Sequence, residues 1–176
     1  MAALRKFITY RNLDRSYTRK SKFKKKNYVR AVPPHKIVKF NMGNIKKNDW
    51  KYKISLKSKE TVQIRHNAIE ATRLVINRRL SKLGIQNYLF KINLYPHQIL
   101  RENKMLTGAG SDRMQTGMKH SFGKPIGTAA IVKKGRALMT TYTDTNIKII
   151  EAAMKKAAPR LPCKIQIETE ELESKA

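Results

Sequence analysis

Positive charge sets the first limit on how this chain can fold. Its 176 residues hold 39 Lys and Arg against 12 Asp and Glu, a formal net charge of +27 at pH 7. Repulsion of this size destabilises a compact state unless a polyanion neutralises it. The charge therefore predicts a nucleic acid or an anionic membrane surface as a standing partner, and it is unlike that of an ordinary soluble enzyme.

Enough apolar residues are present to build a core, since they make up 40% of the chain. The length suits one domain with basic extensions. No apolar run approaches the roughly 18 residues of a membrane span, and the charged N-terminus has no hydrophobic segment behind it. We therefore expect neither a transmembrane protein nor a secreted one, and the single cysteine, Cys163, agrees with a reducing cytoplasm.

Residues 1–30 form a basic N-terminal extension. They combine 11 Lys and Arg with one acid, Asp14, and with interspersed Phe and Tyr. Cations neutralise phosphates and aromatic rings stack on unpaired bases, so this composition is typical of a segment that binds RNA. The side chains expected to bind RNA here are Arg5, Lys6, Arg11, Arg15, Arg19, Lys20, Lys22, Lys24, Lys25, Lys26 and Arg30.

The other end of the chain is acidic. Glu168, Glu170, Glu171 and Glu173 are a third of all the acids in the chain. Charge runs at chain ends are usually solvated, so we expect a frayed acidic tail over 168–176, with an interaction tail as the alternative. A single domain is expected over 31–167.

Hydropathy patterning between the two ends predicts an α+β domain. Alternation of apolar and polar residues favours strands at 36–40, 51–57, 88–95, 129–132, 137–142 and 163–167. Apolar residues at three- and four-residue steps predict two amphipathic helices that cover one sheet face. The first begins near residues 59–61 and ends at Gly84. The second is capped by Asp144 or Thr145 and ends at Pro159.

The segment from His97 to Gly127 is irregular and rich in glycine, with five of the 8 glycines of the chain. Glycine lets a backbone approach another surface closely, and long irregular segments in compact domains usually have a function. Two nucleotide-binding motifs fail here. The run 108–113 lacks the third glycine of a dinucleotide fingerprint, and 117–124 has five residues between its glycines where a P-loop has four.

The sequence offers no arrangement of catalytic or metal-binding residues. The four histidines are about thirty residues apart, and one cysteine cannot complete a zinc cluster. The acids do not pair in the sequence, and Cys163 follows a proline in a strand-like run that is typical of a buried thiol. We therefore expect no enzyme, no catalytic residue, no metal and no cofactor.

Six motifs then follow one another in a fixed order. They are residues 36–40 (KIVKF), 62–71 (VQIRHNAIEA), 95–98 (YPHQ), 101–105 (RENKM), 108–113 (GAGSDR) and 122–129 (FGKPIGTA). Together they resemble ribosomal protein sixteen of the large subunit, a universal family whose archaeal and eukaryotic members are called ten or ten-e. The resemblance covers about residues 28–167. The short chain and Gly108 are more similar to archaeal members than to eukaryotic ones.

The resemblance implies an α+β fold in which an antiparallel sheet packs with two helices. It also implies a place between helices of large-subunit ribosomal RNA, near the peptidyl-transferase centre and the tRNA in the A site. In this family the loop that matches residues 101–117 reaches toward that centre and contacts ribosomal RNA and the acceptor end of tRNA. Ribosomal RNA, tRNA and neighbouring large-subunit proteins are thus the expected partners, on the cytoplasmic ribosome.

Charge and resemblance together give the remaining candidate residues. Beyond the N-terminal extension, those expected to bind ribosomal RNA are Arg65, His66, Arg73, Arg78 and Lys124. Those expected near tRNA and the peptidyl-transferase centre are Arg101, Asn103, Lys104, Met105, Gly108, Gly110, Arg113 and Lys119.

Two other functions compete with this interpretation. An RNA-modifying enzyme could use the glycine-rich segment as a cofactor or substrate loop, but the motifs for a cofactor are missing. A protein that packages duplex DNA would fit the charge, but the sequence has no recognisable helix-turn-helix, basic zipper or zinc finger.

Overall fold

The computed structural model describes residues 5–11, 23, 29, 31–103, 108, 110 and 123–172. In chain order the strands are β1 (Asn41–Gly43), β2 (Tyr52–Ser58), β3 (Val62–Arg65), β4 (Tyr88–Ile92), β5 (Gln98–Glu102), β6 (Lys124–Val132), β7 (Ala137–Thr143) and β8 (Ile165–Glu171). The helices are α1 (Ile8–Arg11), α2 (His66–Leu80) and α3 (Ile147–Ala157).

The strands form two antiparallel sheets. A five-stranded sheet has the order β1-β4-β7-β2-β8, and a three-stranded sheet has the order β3-β6-β5. Every strand pair is antiparallel. This arrangement, with two amphipathic helices, confirms the predicted α+β class. Among the described residues no helix is both long and apolar enough to span a bilayer.

One hydrophobic core joins the larger sheet to the two long helices. Phe90 and Met139 from the sheet, Ile69 and Ile76 from α2, and Met154 from α3 are all inaccessible to solvent. The two helices also pack on each other. Burial of each such side chain contributes about 1.5–3 kcal/mol, so this apolar seam fixes the helices relative to the sheet.

The first long helix begins later than the periodicity predicts. Residues 62–65 form β3, which pairs with β6 from Val62 opposite Val132 to Arg65 opposite Ala129. The expected start near 59–61 is therefore wrong, because a ladder to a distant strand takes these residues first. The end is as predicted, since a 3-10 turn (Ser81–Leu83) leads from α2 to Gly84 at φ 86°.

The second long helix begins at Ile147, not at a cap formed by Asp144 or Thr145. Its first flanking residue is Asn146, in the left-handed region at φ 66°. The Asp144 carboxylate is occupied elsewhere, because it pairs with Lys47 and accepts the backbone N–H of Lys51. The helix ends at Ala157, and a 3-10 turn (Ala158–Arg160) contains the expected terminator, a proline.

The predicted strand at 36–40 is wrong. The structure places residues 31–39 outside both described sheets, and β1 begins at Asn41. The backbone N–H of Lys36 donates to Nδ1 of His66 at 3.1 Å, whereas Phe40 accepts from the N–H of Ile92 at 2.8 Å. Hydrogen bonds to the side chains of His66 and Glu70, together with one ladder-like bond, thus hold this stretch.

The acidic end is a strand as far as Glu171, so the prediction of a frayed tail from residue 168 is wrong for 168–171. Strand β8 pairs with β2 along its length. Lys57 pairs with Glu168, and Lys53 Nζ lies 2.7 Å from Oε2 of Glu170, which holds the pKa of Glu170 below its usual range. The acids order this end because β2 presents cations beside them. Residues 173–176 lie outside the described part.

Candidate nucleic-acid interface

The glycine-rich segment leaves one end of the three-stranded sheet and returns to it. Strand β5 runs to Glu102, which lies opposite Lys124 at the start of β6. Arg101 and Glu102 therefore belong to a strand, and the expected loop start at 101 is wrong because β6 pairs with both residues. The two described ends of the segment, Asn103 and Gly123, thus lie side by side at one place on the fold.

Glycine is required where the segment rejoins the sheet. Gly123 has φ 70°, and a Cβ at this position would lie 2.9 Å from the carbonyl carbon of Glu102. Gly108 and Gly110 also have positive φ, 141° and 80°, but a Cβ there would meet no described atom within 4 Å. Close backbone contact thus fixes Gly123, whereas backbone conformation alone favours the other two.

The described N-terminal residues 5–11, which we call the arm, lie against the same small sheet. Helix α1 packs on β3. Gln63 Nε2 donates to the carbonyl oxygen of Tyr10 at 3.0 Å, and the Arg65 guanidinium lies 5.5 Å from the Tyr10 ring centroid. Arg11 pairs with Glu60, which lies two residues before this strand. These contacts fix the arm beside the strands that carry the glycine-rich segment.

An ion pair joins the arm to the base of the segment. Arg5 Nε lies 2.5 Å from Oε1 of Glu102, whose side chain is only 13% exposed. The hydrogen bond to Glu102 raises the pKa of Arg5. Two exposed lysines are neighbours of this pair: Lys6 follows Arg5 in the sequence, and Lys124 lies opposite Glu102 in the sheet. The arm, the end of β5 and the start of β6 thus form one basic surface, which we call the arm–segment surface.

His66 is not a phosphate-binding cation. It is buried, and its Nδ1 accepts the backbone N–H of Lys36. Burial lowers its pKa, and the charges of Lys36, His35 and Arg65 lower it further. A neutral imidazole that accepts a backbone hydrogen bond has a structural role, so the prediction that His66 binds ribosomal RNA is withdrawn.

Arg73 is also a structural residue. Its Nε and Nη2 donate to the two carboxylate oxygens of Glu70 at 2.8 and 2.5 Å, and its Nη1 lies 3.2 Å from Sδ of Met42. The residue is only 7% exposed. The hydrogen bond from Arg73 lowers the pKa of Glu70. Because the guanidinium is covered and neutralised, Arg73 is removed from the predicted RNA contacts.

The remaining candidates divide into three groups. Arg78 is exposed on α2, away from the arm–segment surface. Arg65, Arg101 and Asn103 are half-buried and belong to that surface. Other candidates lie outside the described residues: Arg15, Arg19, Lys20, Lys22, Lys24, Lys25, Lys26, Arg30, Lys104, Met105, Arg113 and Lys119.

Two acids that sequence reasoning passed over organise this surface. Glu60 and Glu102 are isolated acids in basic surroundings, and each pairs with an arginine of the arm. Their isolation in the sequence could have indicated these ion pairs, since a lone carboxylate among many cations usually pairs with one of them. The pairs neutralise the acids that would otherwise repel phosphate.

The described residues show neither a metal-binding group nor a reactive nucleophile at this site. Within the described ranges, no three His, Cys, Asp or Glu side chains are grouped so as to hold a metal. Cys163 is half-buried, and burial raises the pKa of its thiol. A thiol in this state is a poor nucleophile.

Comparison with known proteins agrees with the six motifs. The family model described as Ribosomal protein L16p/L10e matches residues 17–168. A protein of Staphylothermus marinus is 46% identical, over 82% of this chain and 84% of the relative. One of Methanococcus maripaludis is 45% identical, over 94% of each chain. One of Nanoarchaeum equitans is 42% identical, over 99% of this chain and 97% of the relative.

All three relatives bear the name large ribosomal subunit protein uL16. The matches confirm the resemblance and its archaeal character. The chain therefore belongs to the ribosomal protein L16p/L10e family, as a structural ribosomal protein and not an enzyme.

Proposed function

We propose that this protein, as a constituent of the large ribosomal subunit in the cytoplasm, binds ribosomal RNA near the peptidyl-transferase centre and contacts the A-site tRNA. One observation carries the proposal: the basic arm and both ends of the glycine-rich segment meet at one end of the small sheet. A single docking event can then place the arm on RNA and aim the segment at a second ligand.

The arm–segment surface suits ribosomal RNA for electrostatic reasons. Its acids are neutralised by arm arginines, whereas Lys6 and Lys124 are exposed. Backbone phosphates position a protein without regard to base sequence. If about 6–10 phosphates are neutralised, affinity falls by roughly 10³–10⁵ between 50 and 200 mM salt for a duplex target.

The segment is proposed to contact tRNA with backbone and with cations. Gly108 and Gly110 have positive φ and carry no side chain. The backbone at these two positions can therefore approach another chain closely. Lys104, Arg113 and Lys119 are proposed to donate to phosphates there. Neighbouring large-subunit proteins are further partners of the assembled particle.

Association is tested by sedimentation of a native lysate through a high-salt sucrose gradient, with the protein followed by mass spectrometry. We expect it to migrate with the large subunit after the wash. Migration at the top of the gradient, with the subunit intact, would overturn the proposal and return attention to a free RNA-modifying enzyme.

The location within the subunit is tested by directed hydroxyl-radical probing. In a Cys163→Ser background, an iron chelate is attached at Ser111→Cys in the segment, and at Lys148→Cys on exposed α3 as the matched control. We expect only the first position to cleave ribosomal RNA of the peptidyl-transferase centre and the acceptor end of A-site tRNA. Equal cleavage patterns from both positions would contradict the placement.

A further inference from the structure

An open pocket of about 590 Å³ lies between the arm, the start of α2 and the residues that follow α3. Its volume falls in the range of small-molecule sites, about 300–1,000 Å³. The Phe7 ring, the methyl groups of Ala68 and Ala71, and the rings of Pro159 and Pro162 supply apolar walls. The pocket therefore offers flat, apolar surfaces of the kind that a planar ring needs.

Cations surround these walls. Arg65, Arg160 and Lys164 line the pocket, and the acid in its lining, Glu60, is paired with Arg11. Arg160 and Lys164 are exposed at the surface. An anionic group at the mouth would thus meet uncompensated positive charge, with an apolar wall directly behind it.

An aromatic ring borders these cations. Phe7 lines the pocket and is 53% exposed, so its ring is open to a planar ligand. Proteins hold unstacked RNA bases largely by stacking on aromatic rings, and cations contact the phosphates. The lining thus combines the two kinds of contact that a single nucleotide needs.

We propose that this pocket holds one unstacked nucleotide of ribosomal RNA, an inference that rests on the proposed function. Its base packs between Phe7 and Ala71. Its phosphate lies toward Arg160 and Lys164. The pocket would then add a base-stacking contact to a surface that otherwise binds backbone phosphates.

The test uses nuclear magnetic resonance of the full-length, isotope-labelled chain titrated with AMP, with GMP, and with ribose 5-phosphate as a probe without a base. Ala71→Leu places a larger side chain in the pocket without a change of charge. Ala152→Leu, on an exposed position of α3, is the matched control. Arg160→Ala is paired with Arg136→Ala, an exposed arginine in the turn before β7.

We expect AMP or GMP to shift the amide signals of Ala68, Ala71 and Cys163, and ribose 5-phosphate to leave them in place. The affinity should fall at least about tenfold in Ala71→Leu and in Arg160→Ala, and hold in both controls. Equal shifts with ribose 5-phosphate, unchanged affinity in Ala71→Leu, or no shifts at millimolar nucleotide would each overturn the proposal.

The same wild-type chain is then followed through the sucrose gradient, so that the two proposals fail separately. If the chain migrates with the large subunit but binds no nucleotide, only the proposal about the pocket is rejected. Nucleotide binding by a chain that does not migrate with the subunit would reject its assignment to ribosomal RNA.

Discussion

Arg5 Nε lies 2.5 Å from Oε1 of Glu102, and this ion pair links two positions that are 97 residues apart in the sequence. Glu102 is the last residue of β5, so the pair connects the basic arm to the point where the glycine-rich segment begins. The two basic parts of the chain are thereby held at one end of the small sheet, beside a pocket that the arm helps to form.

Glu102→Gln should loosen the arm while leaving the domain folded. The neutral amide keeps the shape of the carboxylate but removes its charge, and an ion pair whose arginine is exposed to solvent contributes little to global stability. We expect faster hydrogen exchange at the amides of Thr9 and Tyr10, which the arm's own turn protects, with a small change in melting temperature. Glu171→Gln, at an exposed position of β8, is the control. Unchanged exchange in the arm would show that the Tyr10 contacts and the Arg11–Glu60 pair hold it without Glu102.

Arg73→Ala should destabilise the fold by about 3 kcal/mol, because it removes both guanidinium hydrogen bonds from Glu70 in a nearly buried setting and leaves the carboxylate only the backbone hydrogen bond from Val38. Urea unfolding at neutral pH measures the loss. Arg78→Ala, one turn further along α2 and exposed, should change stability by less than about 0.5 kcal/mol. The reverse result, with stability intact and binding to ribosomal RNA lost, would return Arg73 to the interface.

Removing both partners separates stability from charge. The double variant Glu70→Leu with Arg73→Leu should recover most of the loss, since replacing a buried ion pair by apolar residues is often neutral. A double variant as unstable as Arg73→Ala would mean that the lost packing beside Met42, or the loss of the hydrogen bond from Val38 to Glu70, outweighs the effect of the unpaired carboxylate.

His66 should make the protein less stable as pH falls below about 6.5, its ordinary pKa. Burial lowers its pKa in the folded state, so the unfolded chain binds the proton more readily. The contribution of His66 to the free energy of unfolding is complete above pH 6.5. It is lost as the pH falls toward the lowered pKa of His66 in the folded state. Thermal melts across pH 5–8 should show this slope in the wild type and a flatter one in His66→Gln.

The segment itself should matter more for peptide synthesis than for assembly. Lys104→Ala with Arg113→Ala removes two proposed phosphate donors without touching the described fold. We expect slower translation in a reconstituted system, with normal recovery of the large subunit. Lys155→Ala with Lys156→Ala, exposed on α3, is the charge-matched control. Normal translation with failed assembly would reverse this division of roles.

The fold class, both long helices and their ends follow from local sequence, because periodicity and the stop signals at Gly84 and Pro159 act over a few residues. The start of α2 does not, since Ile64 fits a helical stripe as well as a strand and only pairing with β6 decides between them. Propensity cannot include a partner strand that lies about seventy residues away.

The site was predictable as a charge pattern but not as a set of contacts. Helical spacing places Arg73 on the face away from the core, yet Met42 from β1 covers it and Glu70 neutralises it. Likewise, Glu168 and Glu170 look like a solvated tail until Lys53 and Lys57 of β2 stand beside them. Each error concerns a tertiary partner, which composition and periodicity do not contain.

Gly123 and Gly135 offer a matched pair that isolates the close contact at the base of the segment. Both have positive φ, 70° and 80°, so alanine at either position carries the left-handed penalty of about 1–2 kcal/mol. A Cβ at Gly135 would meet no described atom within 4 Å, whereas at Gly123 it would lie 2.9 Å from the carbonyl carbon of Glu102 and 3.1 Å from the amide nitrogen of Asn103.

Gly123→Ala should therefore lower the free energy of unfolding more than Gly135→Ala does, and only Gly123→Ala should shift the amide signals of Glu102 and Asn103. Both atoms near the new methyl group are backbone, so the strands must part to make room, and the register of Glu102 opposite Lys124 should be disturbed. Urea unfolding and amide chemical shifts measure the two effects. Equal losses in both variants, with the Glu102 signals in place, would mean that backbone conformation alone requires glycine at 123, and that the close approach does not fix where the segment leaves the sheet.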